Sequence, residues 1–269
     1  MPITKKRLKE YSARHYDEAP LEFFEYLGKS LGYSCPIHEE ETTNDEALIN
    51  KCKKYVQLGR VKSGHRICEW GQGWGAFCKY VTENFNVDYT CFNVSKEQTE
   101  YCKEHNKKAK FYNKSLHDSF GKYDRLFSDG NLVHQRGRQQ EFFDKAYESL
   151  EEGGIFLCKD MFAVPVTKIP QQVCRGLNMT FFGSGEYRTL DEAEANARKA
   201  GFRIVKAHEI WIDSYIRTME LWLEEMIKNK ERMMELNAQK YTRDYLTWNL
   251  FINLFKLGYF ELWIMICHK

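Results

Sequence analysis

The ten residues Arg66-Ile67-Cys68-Glu69-Trp70-Gly71-Gln72-Gly73-Trp74-Gly75 constrain this chain more than any other stretch. They read as a strand that ends in a carboxylate and then turns through three alternate glycines. Where a strand feeds a helix through such a turn, the missing Cβ atoms let a ligand reach the main chain, and glycine accepts the positive φ that a sharp turn demands. Turns of this kind belong to open α/β sheets, whose ligands sit beyond the carboxyl ends of the strands beside a switch in strand order.

Glu69 narrows the ligand. Its carboxylate repels a nucleotide's phosphates and attracts an ammonium and a sulfonium group. That describes S-adenosylmethionine, with S-adenosylhomocysteine as the product. Gly71, Gly73 and Gly75 give the spacing G-x-G-x-G, not the dinucleotide fingerprint G-x-G-x-x-G, whose last glycine permits close helix packing. A nicotinamide dinucleotide therefore loses ground.

Beyond the loop, strands and helices alternate. Helical spacing is read over 21–28, 45–58, 76–85, 98–107, 139–150 and 190–200, and strands over 66–69, 89–94, 110–112, 125–128 and 155–158. The alternation predicts an α/β fold with a Rossmann-like, doubly wound, mostly parallel sheet preceded by N-terminal helices. One domain is expected over 1–269, with 1–60 as a helical part covering the cofactor and 160–188 and 212–265 as cap and substrate-pocket elements. The cap reading rests on Pro165, Pro170 and the turn Phe181-Phe182-Gly183-Ser184-Gly185, which interrupt the alternation. Residues 215–238 read as a long charged helix with Met219, Leu223, Met226 and Ile227 on one face; 241–263 is aromatic-rich and reads as either core helix or pocket wall.

Composition excludes several partners. Forty basic against 38 acidic residues leave a formal charge of +2, so no long-range field marks nucleic acid or an anionic membrane. The cluster Lys5-Lys6-Arg7 is expected to be a solvated arm. Nine cysteines without C-x-x-C pairs predict reduced thiols in a cytoplasmic protein with no metal centre. No apolar run reaches the roughly 18 to 20 residues needed to cross a bilayer.

Taken together, the motifs resemble the cyclopropane fatty acid synthase family of S-adenosylmethionine-dependent methyltransferases, which includes mycolic acid cyclopropane synthases and plant N-methyltransferases of the coclaurine type. The landmarks run from His15-Tyr16-Asp17 and Phe23-Phe24 through Tyr33-Ser34-Cys35, Glu69 to Gly75 and Val94-Ser95-Lys96-Glu97-Gln98 to Phe142-Phe143, Tyr215 and Tyr245-Leu246. The resemblance implies cofactor contacts from Tyr33 and Ser34 at the methionyl end, from Glu69, Gly71, Gln72, Gly73 and Gly75 at the loop, and from Asn93, Val94 and Gln98 around the ribose. Ser115 and Leu116 take the place of the pair that lines the adenine in the family. Asn93 can also be read as an ordinary strand-end cap.

The family's cyclopropane synthases use a bound bicarbonate as base, in a cage of Cys, Glu, His and Tyr. Cys35 and Tyr215 match that cage, whereas Val133 stands at the Glu position and Val164 before Pro165 at the His position. Losing a partner from a buried ion site costs about 3 to 5 kcal/mol, so methyl transfer to an oxygen or nitrogen nucleophile of a small metabolite, sugar or biosynthetic intermediate is expected. Cyclopropanation or C-methylation of a lipid-like acyl acceptor and a non-catalytic cofactor-binding module are the alternatives. His134, with an unperturbed pKa near ~6.5, is the first candidate base, and orientation of the acceptor is its other reading. His117 and Asp129 follow it, and Cys35 can equally pack as a small apolar group.

Overall fold

The computed structural model describes residues 4–18, 20–39, 42–164, 185–209 and 212–269. Three helices come first: α1 (Lys5–Asp17), α2 (Leu21–Tyr26) and α3 (Asn44–Leu58). Thr4 begins α1 by accepting a hydrogen bond from the Arg7 amide, so Lys5-Lys6-Arg7 is solvated as expected but forms a first helical turn and not a free arm. Thr43 and Glu46 begin α3 with a reciprocal capping box, which satisfies two amides that a helix start leaves unpaired.

The sheet follows as β1 (Arg66–Trp70), α4 (Ala76–Asn84), β2 (Asp88–Phe92), α5 (Lys96–His105), β3 (Ala109–Tyr112), β4 (Tyr123–Asp129), α6 (Gln139–Ser149) and β5 (Leu150–Ala163). After these come α7 (Leu190–Lys199), β6 (Ile204–Glu209), α8 (Ile212–Lys228), α9 (Lys230–Lys256) and β7 (Phe260–His268). The strand order is β3-β2-β1-β4-β5-β7-β6. Pairings from β3 through β5 are parallel, and β7 runs antiparallel to both β5 and β6. This is the mostly parallel, doubly wound sheet that the alternation predicts, and its order reverses between β1 and β4.

Both faces are covered. Ile67 joins a buried cluster with Phe77, Tyr89, Phe127, Trp222 and Trp248, while Cys68 and Trp70 turn to the opposite cluster with Phe142, Phe143 and Phe156. A strand buried on both faces needs apolar side chains in both directions, and within β1 Glu69 breaks that rule.

Three boundaries differ from the sequence reading. Asp160 to Ala163 continue β5 and are not part of a cap; of the expected cap, 165–184 lies outside the described residues. The long charged helix stops at Lys228, and α9 carries a non-helical Asn237 at φ −164° whose side chain caps the Lys240 amide. The aromatic-rich stretch is helix only as far as Lys256; Gly258, at φ +72°, ends it, and the apolar run after it becomes β7. No helix among the described residues is long and apolar enough to span a membrane.

Candidate active site

At the carboxyl ends of β1, β2 and β4 a cleft opens, with about 1150 Å³ of empty space counted out to its mouth. The turn after β1 forms its floor. Gly71, Gly73 and Gly75 all have positive φ, and they serve two purposes. A Cβ on Gly71 would lie 2.3 Å from Asn131 Oδ1, and one on Gly75 2.9 Å from Cys102 Sγ, whereas one on Gly73 meets nothing within 4 Å. Gly71 and Gly75 therefore let the loop pack, and Gly73 presents bare main chain to the open cleft. Asn131 clamps the turn by donating to the Trp70 carbonyl at 2.8 Å, and the Gly71 amide donates to the Phe92 carbonyl at 2.8 Å.

Tyr33, Ser34, Glu69, Gly71, Gln72, Gly73, Asn93, Val94, Gln98, Ser115 and Leu116 all line this cleft, as does His134. Gly75 does not; it sits against Cys102. Asn93 turns inward, donating to Gln98 Oε1 at 2.9 Å and accepting from the Ser95 amide at 3.2 Å. Gln98 Nε2 is buried without a hydrogen-bond partner, a donor held ready for a ligand hydroxyl. Ser115 caps a short 3₁₀ turn over Leu116–Asp118.

The His-Tyr-Asp triplet at the end of α1 closes one wall, and each member does a separate job. His15 Nε2 lies 3.2 Å from the Tyr33 hydroxyl, Tyr16 lines the cleft, and Asp17 accepts from Ser95 Oγ at 2.6 Å, which ties α1 to the start of α5. Tyr33 in turn stacks on Trp222 of α8 at 5.6 Å between ring centroids. Lys240 of α9, buried beside Glu22 at 3.3 Å, holds α2 to the same side of the sheet.

Titration of the site is set by burial and two lysines. Burial pushes Glu69 up to about 7, against the opposing pull of the Tyr89 hydroxyl and Lys51. Burial also disfavours the Asp129 carboxylate, yet Lys159 and Lys51 outweigh it and hold the group well below the usual carboxylate range. Each lysine Nζ is 2.9 Å from one Asp129 oxygen, and Tyr55 donates to Oδ2 at 3.0 Å. Lys51 also donates to Ser34 Oγ. Asp160, pushed up to about 7 by burial, accepts from the Leu132, Val133 and Met161 amides and so fixes the segment that carries His134.

His134 is buried and its imidazole pushed down to about 4. It is thus a weaker base than its unperturbed value suggests. His117 pairs with Gln135 Oε1 at 2.9 Å and does not line the cleft. Cys35 and Tyr215 lie outside the cleft lining. Cys35 donates to the Pro36 carbonyl, and burial pushes its thiol up to about 12, so it is protonated at neutral pH. The Tyr215 ring has Lys159 Nζ 5.6 Å from its centroid. Glu69, Cys78 and Cys91 form a buried group whose ligand atoms lie within 4.8 Å of one another, but burial raises both thiols, which disfavours the thiolates that a metal would need.

Lys51, Tyr55, Lys159 and Tyr16 escaped the sequence reading as site residues. One signal existed: Lys51 falls on the apolar stripe of α3 with Leu48, Cys52 and Tyr55, where a lysine needs a buried anion.

The sequence model of the family described as mycolic acid cyclopropane synthetase matches residues 3–265 of this chain. The chain belongs to that family. It is a methyltransferase of the class that uses S-adenosylmethionine, with the class I fold. Its relative methoxy mycolic acid synthase MmaA3 from Mycobacterium tuberculosis is 25% identical, over 92% of this chain and 90% of the relative. The solved cyclopropane synthase MmaA2 from Mycobacterium tuberculosis superposes with a TM-score of 0.91 at 21% identity, covering 97% of this chain and 98% of that one. Mycolic acid cyclopropane synthase CmaA1, solved with S-adenosylhomocysteine and CTAB, gives 0.90 at 21% identity, with the same coverage. The cleft fits the cofactor: Gly73 offers exposed main chain, Gln98 an unpartnered buried donor, and Glu69 an acid for a cationic group.

Proposed function

We propose that this methyltransferase acts on an oxygen or nitrogen nucleophile of a small polar acceptor. The observation that carries this reading is the Lys159–Asp129 ion pair beside Cys35 and Tyr215, with Val133 where the family has a carboxylate. Asp129 already pairs with Lys159 there, so that lysine needs no bound bicarbonate to balance it.

S-adenosylmethionine supplies an activated methyl group when bound. Glu69, Gly73, Asn93 and Gln98 are the residues that would hold it, with Tyr33 and Ser34 at one end and Ser115 and Leu116 at the other. The chain's own part is placement: α1 and Tyr16 restrict water, and Tyr33 is fixed by His15 and Trp222, so the acceptor meets a preorganised wall. His134 stays neutral and accepts a hydrogen bond from the acceptor. A hydroxyl proton grows far more acidic as its oxygen gains the methyl group and a positive charge, so even this weakened imidazole can take it, whereas a neutral amine attacks through its lone pair and releases its proton to water afterwards.

A second reading, modification of an acyl chain, is favoured by the names of the relatives, which act on mycolic acids. Purified protein is tested against amines, phenols, sugars and unsaturated phospholipid vesicles, with S-adenosylhomocysteine release as the readout, in buffer with and without bicarbonate. Turnover with a small polar acceptor and no dependence on bicarbonate supports the proposal; turnover only on vesicles, stimulated by bicarbonate, overturns it.

A further inference from the structure

The methyl donor ends in an amino acid, so a matching cleft needs a cation for the carboxylate as well as an acid for the ammonium. Three lysines line the cleft: Lys9, Lys51 and Lys114. Lys114 is exposed at the Ser115 end, with its Nζ 5.1 Å from the Phe120 ring centroid, and Lys9 lies on α1. Only Lys51 is buried, its side chain 6% exposed. It reaches the cleft beside Ser34 and lowers the Glu69 titration by its charge.

Charge counting shows what Lys51 lacks. Lys51 and Lys159 share one carboxylate, that of Asp129. Lys159 is deeper and outside the cleft lining, with Asp129 as its salt-bridge partner among the described residues. Two ammonium groups thus divide one directly paired carboxylate, and the part of the cluster open to the cleft is the Lys51 ammonium. An ammonium has three donors; two of them go to Ser34 Oγ and Asp129 Oδ2. We propose that the third is the anchor for the donor's carboxylate, which makes Lys51, held in place by the Asp129–Lys159 pair, the residue that selects a zwitterionic donor. The inference concerns the donor and stands whichever acceptor the enzyme uses.

The test compares binding of S-adenosylmethionine, its decarboxylated analogue and 5′-methylthioadenosine by calorimetry, for the native protein and for Lys51→Met. Loss of a charge-assisted hydrogen bond is expected to weaken S-adenosylmethionine about 30-fold, while decarboxylated S-adenosylmethionine and methylthioadenosine change less than about threefold. Lys51→Gln, which retains a hydrogen-bonding group for Ser34, is expected to show the same pattern if Lys51→Met does not fold. Equal losses for the donor and its decarboxylated analogue, or unchanged donor affinity in a folded variant, overturn the assignment. Failure of the native protein to bind any of the three ligands would instead count against the cofactor assignment itself.

Discussion

The Tyr89 hydroxyl donates a 2.9 Å hydrogen bond to Glu69 Oε2, and both groups are buried. The bond favours the carboxylate, and burial pushes the other way, leaving the group at about 7. A cationic ligand binds the ionised form, so its affinity is full above pH 7 and falls as Glu69 takes up a proton. Below that point, donor affinity is expected to drop about tenfold per pH unit. Calorimetry from pH 5 to 8 measures this; Glu69→Gln should flatten the dependence, and Tyr89→Phe should move its midpoint upward.

Gly73 holds φ +55° with open space at its Cβ position. Gly73→Val adds a branched side chain to the cleft and places it in left-handed backbone, which costs about 1 to 2 kcal/mol. The variant should melt a few degrees lower and lose at least about tenfold in S-adenosylhomocysteine affinity. Unchanged affinity in a folded variant would remove the loop from the binding site.

Asp129 is the carboxylate between two buried ammonium groups. Asp129→Asn leaves Lys51 and Lys159 uncompensated and should cost about 3 to 5 kcal/mol of stability. Because the folded carboxyl lies below its unfolded value of about 3.9, this contribution is complete above that pH and erodes as pH falls toward the folded value. Urea unfolding of both proteins should therefore show a stability gap that is constant from pH 5 to 8 and narrows below about pH 4.

His134 is neutral down to about pH 4. At saturating donor, the rate should show no histidine limb between pH 5 and 7, and His134→Gln should lower turnover by about 10- to 100-fold without changing S-adenosylhomocysteine affinity. A native limb near pH 6.5 that disappears in the variant would make His134 an ordinary base.

The parts of this fold governed by local chemistry could be read in advance. The glycine turn, the capped helix α3 and the strands β1 to β4 follow from short-range pattern. So does the cleft, because a strand-to-helix turn at a switch point leaves few other places for a ligand. Long-range relations stayed hidden. β7 escaped because its apolar residues continue the aromatic pattern of α9, and only the positive φ of Gly258 separates the two. Lys159 lies just past the apolar run 155–158, and its partnership with Asp129 depends on two strands lying side by side, which spacing along the chain does not reveal.

The placement of β7 also sets an order of assembly. β6 touches the sheet only through a strand that lies some fifty residues further on, so it cannot settle until β7 has slid in beside β5. The donor-binding half, from β1 to β4, depends on nearer neighbours and is free to form first. A ribosome would thus release a protein whose pocket floor is already built while its far edge is still waiting for a partner.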